Sequence, residues 1–187
     1  SIARINANDI YLNLIILFNK GLEVIEAMRL FSVDLSSVEV VMHRESIVHS
    51  LVEFKDGSMK GLFSVPNLSL AIETALFYPE LGVNSVKPLS LANVGQLSFA
   101  SPDYDRYPCL KIAMDAAKYG EGSCIAICMA DEILVDSFIK GKIRYTDIPV
   151  LLKKVLTKFK DVGDVELDDI MTVADSVTKF TNQLLKK

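Results

Sequence analysis

The residues best suited to chemistry lie in a short run, NKGLE, at positions 19–23. Asn19 is a residue type that commonly caps a helix, so the run predicts a helix start at this point. The free N–H groups of a helix N-terminus and the Lys20 ammonium both favour an anion such as phosphate. Glu23 lies on the turn above Asn19 and offers oxygen to Mg²⁺ or Mn²⁺. From spacing alone, a solvated helix start without a ligand is the more common interpretation.

The two histidines, His43 and His49, flank the residues between two predicted strands. A histidine at a strand end is a candidate for acid–base work or for holding a ligand. A histidine that only satisfies hydrogen bonds within the fold is the more common case. The residues alone leave both interpretations open.

The three cysteines, Cys109, Cys124 and Cys128, form no paired framework, which fits a reducing cytoplasm. Cys124 and Cys128 are four residues apart and could share a helix face to bind metal. Buried thiols that pack as small hydrophobic groups are the more common explanation. We find no glycine-rich dinucleotide motif, phosphate-binding loop, nucleophile elbow or zinc-ligand spacing.

The elements that must position these residues change in type along the chain. The apolar residues 9–18 predict a buried strand or a short buried helix, and residues 19–31 a helix. Further predicted elements are strands at 38–42, 47–54 and 59–65, a turn at Asp56–Gly57, a helix at 67–77, an extended connection at 79–108 with a short strand at 96–99, and helices at 108–119, 124–140, 148–159 and 167–185. The pattern predicts an α+β protein, a small α/β part followed by a helical bundle.

Composition excludes some classes of partner. The chain has 187 residues, a net charge of −4 and no run of basic residues, which argues against nucleic acid as the main partner. The longest apolar stretch, Ile10 to Phe18, is far shorter than the roughly 20 residues that span a bilayer. We therefore expect no membrane partner.

Three stretches together resemble a known family. They are NKGLEVIEA from position 19, VEVVMHRESIVHSLVEFKDGS from position 38, and VKPLSLANVGQLSFASPDYDRYPCLKIAMDAA from position 86, continued by GKIRYTDI. In this order they resemble the 1-deoxy-D-xylulose 5-phosphate reductoisomerases, from about residue 19 to about residue 159. That family converts 1-deoxy-D-xylulose 5-phosphate to 2-C-methyl-D-erythritol 4-phosphate with NADPH and a divalent metal, in the methylerythritol phosphate route to isoprenoids.

The resemblance implies roles for particular residues. Asn19 and Lys20 would bind the phosphorylated sugar substrate, and Glu23 would give a carboxylate to the metal, Mg²⁺ or Mn²⁺. His49 matches a family histidine close to the substrate and joins Glu23 as a catalytic candidate, whereas His43 would order the strand end. The family is dimeric, and residues 47–54 and 59–65 would form the interface. A cytoplasmic location is expected, or a plastid-like organelle in a eukaryote.

The same resemblance implies a division of the chain. Residues 1–80 would be a partial substrate- and metal-binding catalytic domain, residues 81–104 an extended linker, and residues 105–187 the C-terminal helical domain. The NADPH-binding domain of the family and two further metal carboxylates have no counterpart in this sequence. We therefore expect the chain by itself to be inactive as an enzyme.

Two local departures from the family pattern also bear on activity. Leu14 stands where the family has a serine that touches phosphate, and Asp131 lies in the run MADE where the family tends to be rich in asparagine. An alternative function is that of a catalytically dead, family-derived binding or dimerisation module. The sequence leaves both functions open.

Overall fold

The computed structural model describes residues 2–3, 12–80, 82 and 86–186. The described elements are β1 (Ile2–Ala3), α1 (Leu12–Leu30), β2 (Glu39–Val40), β3 (Val48–Glu53), β4 (Met59–Phe63), α2 (Ser69–Phe77), α3 (Leu91–Val94), α4 (Pro108–Tyr119), α5 (Glu121–Ile139), α6 (Asp147–Phe159) and α7 (Ile170–Leu184). The chain divides into two compact units by its internal contacts. We call them the hairpin unit, within residues 1–8 and 39–102, and the helical unit, within 9–38 and 103–187.

The helical unit holds the larger core. Helices α4, α5, α6 and α7 pack against one another, and α1 packs against α4. Leu110, Ala113, Ile127, Leu152 and Val177 are fully buried. Burying such side chains stabilises a fold by about 1.5–3 kcal/mol for each large aliphatic residue. This packing gives α1 a rigid support.

The ends of these helices follow from their sequence. Pro108 occupies the first turn of α4, where a missing N–H costs nothing. Gly120 and Gly141 adopt φ values of 106° and 68° after α4 and α5, a region that favours glycine. The predicted helix at 108–119 has the same bounds in the structure, those at 148–159 and 167–185 are confirmed to within three residues, and the helix predicted at 124–140 begins earlier, at Glu121.

The hairpin unit is built around an antiparallel pair, β3 and β4. The predicted turn at Asp56–Gly57 is confirmed. Gly57 has a φ of 81°, and the Asp56 carboxylate accepts hydrogen bonds from the Ser58 amide at 2.9 Å and hydroxyl at 2.6 Å. A second, parallel pair joins β1 to β2. The α+β fold class is therefore confirmed, with helices predominating among the described residues.

Three predicted elements differ from the structure. The strand predicted at 38–42 is reduced to β2 and a single bridge between Met42 and Ala100. The strand predicted at 96–99 is wrong, because these residues run past the loop after β2 and hydrogen-bond to its side chains. The strand alternative for residues 9–18 is wrong for the described part, which belongs to α1. The domain boundaries at residues 80 and 104 stay a prediction.

Candidate functional site

Helix α1 carries the NKGLE run and is held by a close contact with α4. A Cβ built on Gly21 would lie 2.3 Å from the Cβ of Ala113, well inside van der Waals contact. Glycine in a helix interior costs about 1 kcal/mol relative to alanine, so a close backbone approach is the physical reason for it. Phe18 packs into the same core as Ala113. The run is therefore fixed on the helical unit.

The three candidate side chains share one side of α1 but differ in burial. Asn19 and Glu23, four residues apart, are exposed. Lys20 is 6% exposed, and its neighbours on that side, Leu17 and Val24, are 1% exposed. The Lys20 ammonium donates to the Glu23 carboxylate, whose side chain is 51% exposed. An ammonium that is taken out of water needs such a partner, because an unpaired buried charge costs several kcal/mol.

This pair places a nearly buried ammonium beside a half-exposed carboxylate on one helix. The Lys20 ammonium can bind an anion, and the Glu23 carboxylate can bind a cation. In the structure the two charges pair with each other. The Asn19 amide, one turn below Glu23, adds a hydrogen-bond donor and an acceptor. The arrangement suits a polar ligand with an anionic end.

The prediction that Asn19 caps a helix is wrong. Helix α1 is already formed from Leu12, so Asn19 lies in its interior. No proline or glycine interrupts residues 12–19, and the buried Leu17 and Phe18 continue the apolar side of the helix. The backbone N–H groups of the run therefore form the hydrogen bonds of the helix, and the predicted role of the run in anion binding would fall to the Lys20 side chain. The side chain of Leu14 lies outside the described residues.

His49 lies on β3 in the hairpin unit, whereas Asn19, Lys20 and Glu23 belong to the helical unit. Its Nε2 atom is 3.2 Å from the backbone oxygen of Ser64 and 2.7 Å from the Ser64 hydroxyl. Because a carbonyl oxygen only accepts, Nε2 carries a proton and donates it. The ring therefore helps to hold the end of the hairpin. Its catalytic role stays a prediction.

His43 orders the loop after β2, as expected. The Ile47 N–H donates to Nε2 at 3.2 Å, so Nδ1 carries the proton and donates to the Ser98 oxygen at 2.8 Å. The ring stacks on Phe99 with 4.7 Å between centroids. The Ser98 hydroxyl and amide donate to the Glu45 carboxylate and hold the pKa of Glu45 below its usual range. Both ring nitrogens of His43 therefore serve the fold.

The cysteines fit the interpretation as buried thiols that pack as small hydrophobic groups. Burial raises the pKa of the Cys109 thiol to about 12 and that of Cys128 to about 11, and burial also raises that of Cys124. A thiol held in its neutral form is a poor metal ligand. Among the described residues no group of three or more His, Cys, Asp or Glu side chains could hold a metal ion.

Two features of the helical unit were not predicted from the sequence. Burial raises the pKa of Asp131, on α5, to about 7, and the charge of Glu132 adds to the effect. A cavity also lies between α4 and α6. In the sequence, Asp131 stood out only because the run MADE departs from the asparagine-rich pattern of the family. No motif indicated the cavity. Within the described residues no helix is both long and apolar enough to cross a bilayer.

The fold and the site define an α+β protein whose helical bundle supports a lysine–carboxylate pair on one helix. Residues 63–180 match the family model described as the DXP reductoisomerase C-terminal domain. The chain belongs to the DXP reductoisomerase family.

Full-length relatives agree with this assignment. The 1-deoxy-D-xylulose 5-phosphate reductoisomerase of Tolumonas auensis is 39% identical over 171 residues, which are 91% of this chain and 43% of the relative. That of Elusimicrobium minutum is 45% identical over 140 residues, 75% of this chain and 35% of the relative. The chain thus spans less than half the length of these relatives.

Solved structures of the family have the same fold. A DOX-P reductoisomerase in complex with magnesium has a TM-score of 0.85 at 39% identity, covering 91% of this chain and 45% of its own. The enzyme of Zymomonas mobilis in complex with NADPH has a TM-score of 0.84 at 30% identity, with the same coverage. A complex with NADPH, fosmidomycin and magnesium has a TM-score of 0.84 at 41% identity, covering 91% of this chain and 44% of its own.

Proposed function

We propose that this chain is the C-terminal portion of an NADPH- and divalent-metal-dependent reductoisomerase that converts 1-deoxy-D-xylulose 5-phosphate to 2-C-methyl-D-erythritol 4-phosphate. The observation that carries the proposal is the Lys20–Glu23 pair on α1, within the run that resembles the family site. Relatives that bind NADPH and magnesium support the cofactors. The pathway would be the methylerythritol phosphate route to isoprenoids.

In this proposal the ion pair exchanges partners when substrate binds. The Lys20 ammonium would bind the substrate phosphate, and the Glu23 carboxylate would hold the metal. Each charge loses one opposite charge and gains another, so the exchange leaves neither unpaired. Asn19 binds a substrate hydroxyl beside them. A lysine with a buried stem delivers its ammonium from a fixed direction, which limits the side-chain entropy lost on binding.

The described residues fit only part of the cofactor sites. Glu23 offers one carboxylate, and Mg²⁺ usually takes one or two together with substrate oxygens. No second carboxylate joins it in a metal-binding group among the described residues. No glycine-rich dinucleotide motif is present for NADPH. When bound, the metal would polarise the substrate carbonyl and NADPH would supply hydride; among the described residues we assign only Glu23 to those sites.

His49 would lie near the substrate in the complete enzyme. The Ser64 contacts fix its Nε2 on the β3–β4 pair. A ring held in this way orients a neighbouring ligand better than a mobile one. We therefore assign His49 to substrate positioning. It would act as a proton donor only if the substrate displaced Ser64.

A chimaeric enzyme tests the proposal. The corresponding portion of the Tolumonas auensis reductoisomerase is replaced with residues 19–187 of this chain, and NADPH oxidation is followed with 1-deoxy-D-xylulose 5-phosphate and Mg²⁺. We expect turnover by the chimaera and none by this chain alone. Glu23→Gln in the chimaera should lower kcat at least about tenfold through the lost metal ligand. Lys20→Ala should raise KM about tenfold through the lost contact with phosphate.

The matched control is Glu26→Gln, which removes an exposed carboxylate from the same helix. It should leave both kinetic constants within about twofold of the parent. A folded chimaera without turnover, or equal losses in Glu23→Gln and Glu26→Gln, would contradict the assignment. The first outcome would favour the catalytically dead module.

We also propose that the hairpin unit forms a homodimer interface. Residues 47–54 and 59–65 carry apolar side chains that are unusually exposed: Val52 50%, Phe54 50%, Met59 55%, Leu62 56% and Phe63 43%. The register places Val52 and Leu62 on one face of the β3–β4 pair and Met59 and Phe63 on the other. Exposed apolar side chains, together with a strand edge that is unpaired among the described residues, favour association with a second copy. This surface is also what the alternative dimerisation module would require.

Sedimentation equilibrium tests the interface. Leu62→Lys should weaken the dimer at least about tenfold, since it places a charge in an apolar contact. Ile139→Lys, at a residue of the helical unit that is 74% exposed, is the matched control and should leave the dimer unchanged. A wild-type chain that stays monomeric, or equal effects of both variants, would rule out this interface.

A further inference from the structure

A cavity of about 500 Å³ lies between α4 and α6 in the helical unit. Its lining includes Ile112 and Leu156, which are 7% exposed, and the ring of Tyr119. Pro108 and Pro149, each in the first turn of its helix, also line it. Cavities of roughly 300–1,000 Å³ with mostly apolar walls hold small organic molecules. The cavity is therefore large and apolar enough for such a ligand.

Lysines give the cavity its charge. Lys111 is 3.4 Å from the carboxylate of Asp115, which also pairs with Lys118 at 2.9 Å. Lys153 and Lys160 also line the cavity but form no ion pair with any carboxylate of the described chain. They are seven residues apart, which places them on one side of the helix and its C-terminal cap. Two ammonium groups are thus available to a ligand.

The lining as a whole is positive. It holds three lysines, Lys111, Lys153 and Lys160, against two aspartates, Asp105 and Asp115, in a chain with a net charge of −4. A phosphate monoester carries about −1.5 to −2 charges at neutral pH, close to the charge of two ammonium groups. The apolar walls favour a ligand body that is itself apolar, and an aromatic ring can pack against Tyr119.

We propose that this cavity binds a phosphate monoester with an aromatic or otherwise apolar body. The site is separate from the Lys20–Glu23 pair, because none of the residues that line it belongs to α1. The helical unit therefore carries a binding site of its own.

Phenyl phosphate is the probe. It is titrated into the ¹⁵N-labelled chain, and backbone amide shifts are followed, with glycerol 3-phosphate and phenol as separate titrants. We expect saturable shifts at residues 111, 153 and 157, with a Kd of about 1 mM or lower. Glycerol 3-phosphate has the same anionic group without the ring and should bind at least about fivefold more weakly, and phenol likewise.

Variants with matched charge changes locate the site. Lys153→Gln with Lys160→Gln should weaken phenyl phosphate about tenfold, because each exposed charge contact contributes a factor of roughly three to five. Lys142→Gln with Lys158→Gln removes two exposed charges outside the cavity and should have no effect. Lys20→Ala should also leave the affinity unchanged.

Three outcomes would overturn the proposal. They are an absence of saturable shifts, equal losses in the two double variants, and shifts that centre on residues 19–23. The last would assign phenyl phosphate to α1 and would agree with the proposed function without supporting a second site. Chimaera activity does not depend on this result, so the two proposals can fail separately.

Discussion

Replacing Gly21 with alanine is expected to destabilise the helical unit by about 1–3 kcal/mol, because the added methyl group has no room. The Cβ would lie 2.3 Å from that of Ala113, which is fully buried on α4. Neither helix can yield by a side-chain rotation, since both atoms are attached directly to backbone. The two helices must therefore move apart, and the packing around Phe18 would loosen with them. Urea unfolding followed by circular dichroism measures the loss.

A reciprocal substitution separates this clash from other effects of alanine. Gly21→Ala combined with Ala113→Gly moves the methyl group from one helix to the other and leaves helix propensity balanced. We expect the double variant to unfold within about 1 kcal/mol of wild type, with a coupling free energy of about 2 kcal/mol or more. If Gly21→Ala is as stable as wild type, or if Ala113→Gly gives no rescue, the close contact does not explain the glycine.

Asp131→Asn is expected to stabilise the protein by about 2 kcal/mol at pH 8. Burial raises the pKa of Asp131 to about 7, and its carboxylate makes no hydrogen bond or ion pair within the described part of the chain. In the unfolded chain the group titrates near 3.8. At pH 8 the folded protein therefore holds an unpaired, partly buried charge. Asparagine keeps the size of the side chain and removes that charge.

The sign of the pH dependence follows from proton binding. Between about pH 4 and pH 7 the folded state binds the Asp131 proton and the unfolded state has released it, so the free energy of unfolding falls as pH rises through this range. The Asp131→Asn variant lacks this contribution. The two proteins should differ little near pH 4, and their difference should grow until about pH 7. Urea unfolding at intervals of pH measures it.

Glu132→Gln is the matched control for Asp131→Asn. Glu132 is the next residue on α5 and is exposed, so the variant makes the same change of charge and removes only the smaller of the two causes that raise the pKa of Asp131, leaving its burial in place. Its effect should stay within about 0.5 kcal/mol at every pH. A difference between wild type and Asp131→Asn that does not change with pH would show that the carboxylate is not the cause.

The sequence predicted the helical unit well where glycine and proline mark the ends of helices. Gly120 and Gly141 end two helices through positive φ angles, and Pro108 and Pro149 lie in first turns. These signals act within a few residues, so tertiary contacts do not alter them. The Asp56–Gly57 turn was predictable for the same reason.

The start of α1 could not be predicted in the same way. Asn19 is a common cap, but cap preference is weak against burial of Leu17 and Phe18 on a helix that continues through it. The pairing of Lys20 with Glu23 was likewise not specified, since many lysines at this spacing stay solvated. The strand predicted at 96–99 failed because Ser98 and Phe99 contact His43, more than 50 residues away in sequence.

The burial of Asp131 and the cavity between α4 and α6 depend on how helices pack. Asp131 follows the buried Ala130 and precedes the exposed Glu132, so it lies at the edge of the buried side of α5. The residues Val150, Lys153, Thr157 and Lys160 follow helical spacing along α6, but only the presence of α4 turns that side into a cavity. Sequence periodicity shows which side of a helix is apolar, but it does not show which element packs against that side.

Helices α1 and α4 pack against each other but are synthesised at different times. Helix α1 ends at Leu30 and α4 begins at Pro108, with residues 31–107 between them. At about 5–20 residues per second, a ribosome needs roughly 4–15 s to add that interval. Throughout it the side of α1 that carries Phe18 and Gly21 has no α4 to cover it. The helix with the candidate site is therefore synthesised well before the helix that supports it.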